Sequence, residues 1–248
     1  MWNSPRLLNS TASVLFALAA VIGLFAAGQL VLRSSLFPLR EVNVEGTLAH
    51  TSRAEVETAA RTRIFGNFFS VNLETVRGTF ERLPWVRHVD VRRVWPDGLE
   101  VRIEEHVALA KWADGGLVNT RGELFSGRAD EHLPLFKGPR GSAAEVARRY
   151  RIFTALLTPL HAPLAQLTLT PRFAWQLRLE SGLQLMLGRD LESDPVEKRL
   201  ARFVDAYPGT LARVHGRREY VDLRYPNGFA VRLPEPERSA RADSDVKG

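Results

Sequence analysis

The side chains able to do chemistry in this chain are six histidines, at 50, 88, 106, 132, 161 and 215, some neighbouring carboxylates and one serine–lysine pair. No two histidines stand four apart and no H-E-x-x-H occurs, so a helix-borne zinc site has no ligands here. Each histidine reads as a surface or turn residue. No G-x-S-x-G occurs. Ser244-Asp245-Val246-Lys247 has the S-x-x-K spacing of penicillin-binding enzymes, but no Lys-Thr-Gly accompanies it. It also lies in a terminal stretch expected to be disordered, which holds no nucleophile and base in reacting geometry. Glu104 and Glu105 fall on opposite faces of a strand and cannot share acid/base work. Gly115-Gly116 and Gly122 read as turns, because no Lys-Ser or Lys-Thr follows and there is no G-x-G-x-x-G. The expectation is no catalytic, cofactor-binding or metal-ligating residue, and a function carried by binding.

Composition agrees with a globular binding protein. Hydrophobic residues make up 45% and charged ones 25%, which is ordinary for a folded domain. The net charge is +6, yet the basic residues are scattered among acids, so a solvated mixed surface is expected rather than a nucleic-acid footprint. With no cysteine there is no disulfide framework and no thiolate metal site.

The positioning element stands at the start. Leu7 to Leu32 contains no charge and is bracketed by Arg6 and Arg33. A run of ~20 apolar residues crosses a bilayer core, and this one is apolar all round rather than striped. A cleavable secretory signal is the rival reading, because Ala26-Ala27-Gly28 has the small-x-small pattern before Gln29. The apolar run continues through Leu30, Val31 and Leu32, which favours a retained anchor over residues 10–33 after a short cytoplasmic tail, 1–9. Counting flanking arginines (Arg6 before; Arg33, Arg40 and Arg53 after) points the wrong way for export. That rule weakens for long flanking domains, so the remainder is expected in the exported compartment.

After Phe37-Pro38, Leu39 to Glu45 alternates as a half-buried strand ended by Gly46. Ser52 with Glu55 is a capping-box pattern opening a helix. A second helix, Leu73 to Leu83, stops at Pro84. Val86 to Trp95 and Leu99 to Glu105 form a hairpin about Pro96-Asp97-Gly98. Short strands and turns follow from Trp112. Ser142 and Glu145 are expected to cap a helix bearing Val146, Tyr150, Phe153 and Leu157. Period-two alternation returns at Leu167–Leu169, Trp175–Leu179 and Leu183–Leu187. Asp194-Pro195-x-Glu197 reads as an N-cap with proline at the first helical position, leading Val196, Leu200, Phe203, Val204 and Tyr207. A final hairpin, Tyr220 to Tyr225 and Phe229 to Leu233, turns at Pro226-Asn227-Gly228. Residues 234–248 are expected to be disordered.

Several stretches are familiar. Val42-x-Val44-x-Gly46, Leu83-Pro84-Trp85-Val86-x-x-Val89-x-Val91 and Trp95-Pro96-Asp97-Gly98-Leu99-x-Val101-x-Ile103-x-Glu105 resemble a POTRA domain, in particular that of the bacterial FtsQ/DivIB cell-division family. Ala108 stands where many members have proline. Leu187-Gly188-Arg189, Lys198-Arg199-Leu200-x-x-Phe203 and Tyr220-Val221-Asp222-Leu223-Arg224-Tyr225-x-x-Gly228 resemble that family's second domain, the β-domain. The resemblance implies an α+β protein: one transmembrane helix, a POTRA domain of order β-α-α-β-β (37–107), and a mixed domain dominated by an antiparallel sheet (108–233). It also implies a non-enzymatic division scaffold in the inner membrane at the septum, with its C-terminal domains periplasmic. That scaffold would receive a strand from the small bitopic protein FtsB, paired with FtsL, and would take no nucleic acid, cofactor or small-molecule substrate. The residues implied for partner binding are Arg172, Tyr220, Arg224, Tyr225, Asn227, Gly228, Phe229, Ala230, Val231 and Leu233. Alternation would put Tyr220, Asp222 and Arg224 on one face, leaving Arg224 to meet an acidic partner, with Phe229 covered by the partner or the tail. A membrane-anchored cell-wall enzyme would need a clustered nucleophile and base in the folded region. An outer-membrane assembly factor would end in a long barrel.

Overall fold

The computed structural model describes residues 5–33, 37–63, 66–129, 132–210, 220–225 and 228–232. The protein is α+β and divides into two compact units, Met1–His106 and Val107–Gly248. The first opens with α1 (Pro5–Arg33), within which Asn9–Leu32 is long and apolar enough to cross a membrane.

The first unit continues with β1 (Glu41–Glu45), α2 (Arg53–Arg63), α3 (Leu73–Phe80), β2 (Val86–Val94) and β3 (Gly98–Glu105). The strands order as β1-β3-β2, with β3 parallel to β1 and antiparallel to β2. Period-two alternation turns Leu99, Val101 and Ile103 of β3 inward against Val89. Val56 of α2 with Val76 and Phe80 of α3 complete this core. Gly46 ends β1 at φ +145, and a Cβ there would lie 2.4 Å from the Ile103 carbonyl oxygen, so only glycine fits.

The capping box at α2 forms as expected: the Ser52 N–H donates to Glu55 Oε2 (2.8 Å) and the Glu55 N–H to Ser52 Oγ (3.2 Å). The second helix is shorter than its apolar spacing suggests, ending at Phe80, and is capped by Asn72, whose Oδ1 accepts from the Glu74 and Thr75 amides. At the far end of β3, the Glu105 carboxylate accepts the N–H groups of Ala49, His50 and Thr51. Burial raises its pKa, but Thr51 and the amides of Ala49 and His50 lower it by more, holding the carboxyl below the usual range.

Among the described residues, the second unit builds one sheet of nine strands, β12-β11-β10-β9-β8-β7-β4-β5-β6. These are β4 (Ala108–Trp112), β5 (Leu117–Asn119), β6 (Leu124–Phe125), β7 (Leu135–Lys137), β8 (Leu164–Leu169), β9 (Ala174–Leu179), β10 (Gln184–Arg189), β11 (Tyr220–Asp222) and β12 (Ala230–Arg232). The sheet is mixed rather than purely antiparallel: β4–β7, β7–β8 and β10–β11 pair in parallel. Two helices, α4 (Ala143–Leu157) and α5 (Val196–Ala206), pack together and on β8 and β10. Their inward stripes bury Val146, Phe153, Leu157, Leu200 and Phe203 against Leu167, Leu177, Leu185 and Leu187.

Two caps differ from the sequence reading. Ser142 does not cap α4; its hydroxyl donates instead to the Pro139 carbonyl, closing the preceding turn. Asp194 does not cap α5. Its carboxylate is taken by Arg199 and Arg202, and the Val196 N–H donates to Asp190 instead. At Asp194 two charged donors outcompete the helix amide for the carboxylate; at Ser142 the hydroxyl is turned towards the Pro139 carbonyl, to which it donates, and away from the helix amides.

Candidate partner-binding edge

Among the described residues the nine-stranded sheet ends on β12 at one side and on the two-residue β6 at the other. β12 lies antiparallel to β11, pairing Tyr220 with Arg232, Val221 with Val231 and Asp222 with Ala230. Its other side carries backbone groups that no strand of the described sheet pairs, which is the chemistry required for strand addition.

The edge is held from beneath by Arg199. This arginine is 4% exposed at its side chain and sits on the inner face of α5 one turn before Phe203. It donates to the carbonyls of Leu187 (2.5 Å), Arg189 (2.9 Å) and Asp194 (2.7 Å) and to Asp194 Oδ2 (2.8 Å). The Leu187 carbonyl belongs to a bulge between Met186 and Gly188, where β10 departs from regular pairing with β9, and the Arg189 carbonyl ends that strand. One buried cation thereby fixes α5 to the end of β10, and Phe203 is carried into place beside Phe229, with ring centroids 5.8 Å apart. The two phenylalanines, with Arg199, Arg202, Ala206, Leu223 and Gly228, line a cleft of about 270 Å³.

Arg224 lies over Gly188. That glycine has φ +78, and a Cβ on it would come within 2.9 Å of Arg224 Cγ. The guanidinium folds back along its own strand to Asp222, with Nε to Oδ1 at 2.8 Å and Nη2 to Oδ2 at 2.5 Å. Its hydrogen bond, more than burial, sets the Asp222 carboxyl, which is held below the ordinary range.

Against the expectation of strict alternation, Val221, Asp222 and Leu223 are all buried. The hydrogen-bonded strand ends at Asp222, and the Leu223 N–H still donates to the Met186 carbonyl (2.9 Å), so Leu223 continues inward. Arg224 is therefore engaged within its own strand by Asp222. Phe229 is half-buried against Phe203, so its cover comes in part from the fold itself. Tyr225 is 55% exposed beside this edge. Tyr220 and Val231 are half-buried and Ala230 is exposed, all three in the last two strands, while Gly228 is exposed just before β12. Arg172 is exposed in the turn before β9. Because Ala174 pairs with Arg189 and Gly188 adjoins Arg224, that turn stands at the same end of the sheet as Tyr225. Asn227 and Leu233 lie outside the described residues, as does the tail 234–248.

Residues 37–106 match the family model "POTRA domain, FtsQ-type", and 110–224 match "Cell division protein FtsQ/DivIB, C-terminal". The chain is 44% identical over 235 residues to the cell division protein FtsQ of Burkholderia pseudomallei, covering 94% of each. The chain belongs to the FtsQ/DivIB cell-division family. It is likewise 43% identical over 237 residues to the FtsQ of Nitrosospira multiformis, covering 94% of this chain and 99% of that one. The FtsQ of Neisseria gonorrhoeae is 33% identical over 245 residues, covering 96% and 99%. The match to the C-terminal family model stops at Arg224, so Tyr225 and β12 fall just beyond it.

Sequence reasoning missed three residues that shape this edge. Arg199 was legible only as a polar member of a family motif; its burial depends on a strand bulge that no local pattern announces. Asp222 reads as a surface acid until Arg224 is seen to fold onto it. Arg149, which pairs with Glu145, Asp190 and Glu197, ties α4 to α5 and to the end of β10 across long sequence separations.

Proposed function

We propose that this protein is a non-enzymatic scaffold of the division machinery, anchored by residues 10–33 in the inner membrane with residues 1–9 cytoplasmic. Residues 37–107 and 108–233 act as its two periplasmic units, at the septum, with 234–248 as a tail. The β12 edge takes a strand from FtsB, paired with FtsL, and so links early and late division proteins. The observation that carries this reading is an edge strand, Ala230–Arg232, flanked by the half-bare Tyr225. Backbone pairing supplies a general docking energy, and an exposed tyrosine supplies the rigid aromatic contact that most often dominates an interface.

Tyr225, Gly228, Phe229, Ala230 and Val231 form the centre of the contact in this reading, with Tyr220 behind them. Asn227 and Leu233 extend it along the chain. Arg172, just before β9, stands three strand spacings from β12, ~14 Å, and meets the same partner at its flank. Arg224 contributes through the Asp222 pair, by shaping the strand end and offering its outer guanidinium face.

The test is co-purification of the full-length protein with full-length FtsB and FtsL from membranes. Capture by wild type and loss of capture with Tyr225→Ala, both proteins remaining folded, is the expected outcome. Equal capture by wild type, Tyr225→Ala and a β12 proline variant would move the docking surface elsewhere.

A further inference from the structure

The first unit bares a cluster of apolar side chains at one end. Trp95 is 79% exposed, Val94 44% and Phe69 42%, while the neighbouring Phe68 and Trp85 are buried. A contiguous bare apolar patch, unlike a single exposed side chain, marks a surface built to be covered. The loop that carries Phe69 is bonded to the end of α1. The Asn67 side-chain amide donates to the Leu32 carbonyl, the last residue of the apolar span, at 2.7 Å. Phe69 is two residues further on, at most ~7 Å along the chain, and its ring meets that of Phe37 edge-on at 5.0 Å. The Phe68 N–H donates to the Phe37 carbonyl (2.9 Å).

The hairpin tip is tied to the same place. Arg93 donates to the carbonyls of Phe68 and Val71, both at 2.8 Å, and the Arg40 N–H donates to the Asp97 carbonyl at 2.9 Å. Trp95 stands between those two attachments. A span of 24 residues is ~36 Å long, more than the ~30 Å hydrocarbon core, so Leu32 reaches the headgroup layer. A tryptophan carried by a hairpin tied to that loop meets the interface, where its amphipathic ring is favoured, and Phe69 and Val94 add apolar area beside it.

We infer that Trp95, Val94 and Phe69 form a second, non-spanning membrane contact, lying in the interface of the bilayer that α1 crosses. This rests on reading α1 as a membrane span. The contact adds a second attachment to the span and so limits the tilt of residues 37–106 over the bilayer.

Full-length protein is reconstituted into vesicles of phosphatidylcholine with phosphatidylglycerol, with and without phosphatidylcholine brominated near the headgroup. The emission difference between wild type and Trp95→Phe isolates Trp95. We expect that component to be blue-shifted, largely quenched by brominated lipid and little affected by aqueous iodide. Iodide quenching without lipid quenching overturns the inference, and so does protection from both quenchers, which would assign the cover to protein. Trp95→Tyr, which retains an interfacial ring, should keep protease resistance near Arg93 that Trp95→Asp loses; equal resistance in both variants counts against lipid contact. Retention of the protein in vesicles at alkaline pH is scored separately. If it is lost, the span reading fails and this inference with it; if it holds while Trp95 is unquenched, this inference alone fails.

Discussion

Asp222, the last residue of the strand beside the sheet edge, and Arg224, two residues on, close a forked ion pair with each other. The acid side chain is 8% exposed while the arginine side chain is 61% exposed. The pair therefore has a dry end that stabilises the fold and a wet end open to a partner.

Arg224→Ala should loosen the strand by about 1–2 kcal/mol, the cost of stranding a buried carboxylate, discounted for the solvated arginine. Hydrogen exchange of the β10 and β11 amides in the full-length protein measures it. Arg224→Lys should recover only part, because a lysine cannot fork. Tyr225→Ala should instead weaken partner binding by about 2 kcal/mol, roughly 30-fold, with exchange unchanged.

Gly188→Ala forces an L residue into positive φ and drives a methyl to 2.9 Å from Arg224 Cγ. A loss of about 1–2 kcal/mol is expected, and partner affinity should fall with it because Arg224 must move. Unchanged affinity alongside reduced stability would separate the arginine from docking.

Successive backbone N–H groups of β12 point to opposite sides. Of Ala230→Pro and Val231→Pro, one removes a donor to β11 and destabilises the edge, while the other removes only an outward donor. The outward variant should fold like wild type and lose FtsB-type binding. If the two variants behave alike, strand addition is not the mode.

Acid should expose both depressed carboxylates. Asp222 and Glu105 have lowered pKa values in the fold, so their stabilisation is complete above the ordinary carboxylate pKa and falls away as pH drops through the folded values, beginning below about pH 5. Asp222→Asn should flatten that decline in the second unit and Glu105→Gln in the first. Glu105→Gln should also cost about 1–3 kcal/mol, since an amide replaces an ionised acceptor of three backbone amides. Thermal unfolding followed at several pH values reads each contribution.

Local signals were legible wherever one segment carried them whole. The uncharged run before Arg33, the Ser52–Glu55 box, the Asp97-Gly98 hairpin and the alternation of Trp175 to Leu179 each act within about ten residues. Backbone preference and side-chain period alone thus determine α1, α2 and the main antiparallel ladders. Tertiary structure decided what depends on competition between distant groups. β1 and β11 each take a parallel neighbour, which no turn signal encodes. Asp194 is taken by two arginines rather than a helix amide, and Arg199 is buried because the carbonyls of Leu187, Arg189 and Asp194 replace its water. Arg224 turns inward to Asp222 because Gly188 leaves room for its stem. A charged side chain goes to whichever partner satisfies it best at least desolvation, and only the assembled fold determines which partners are within reach.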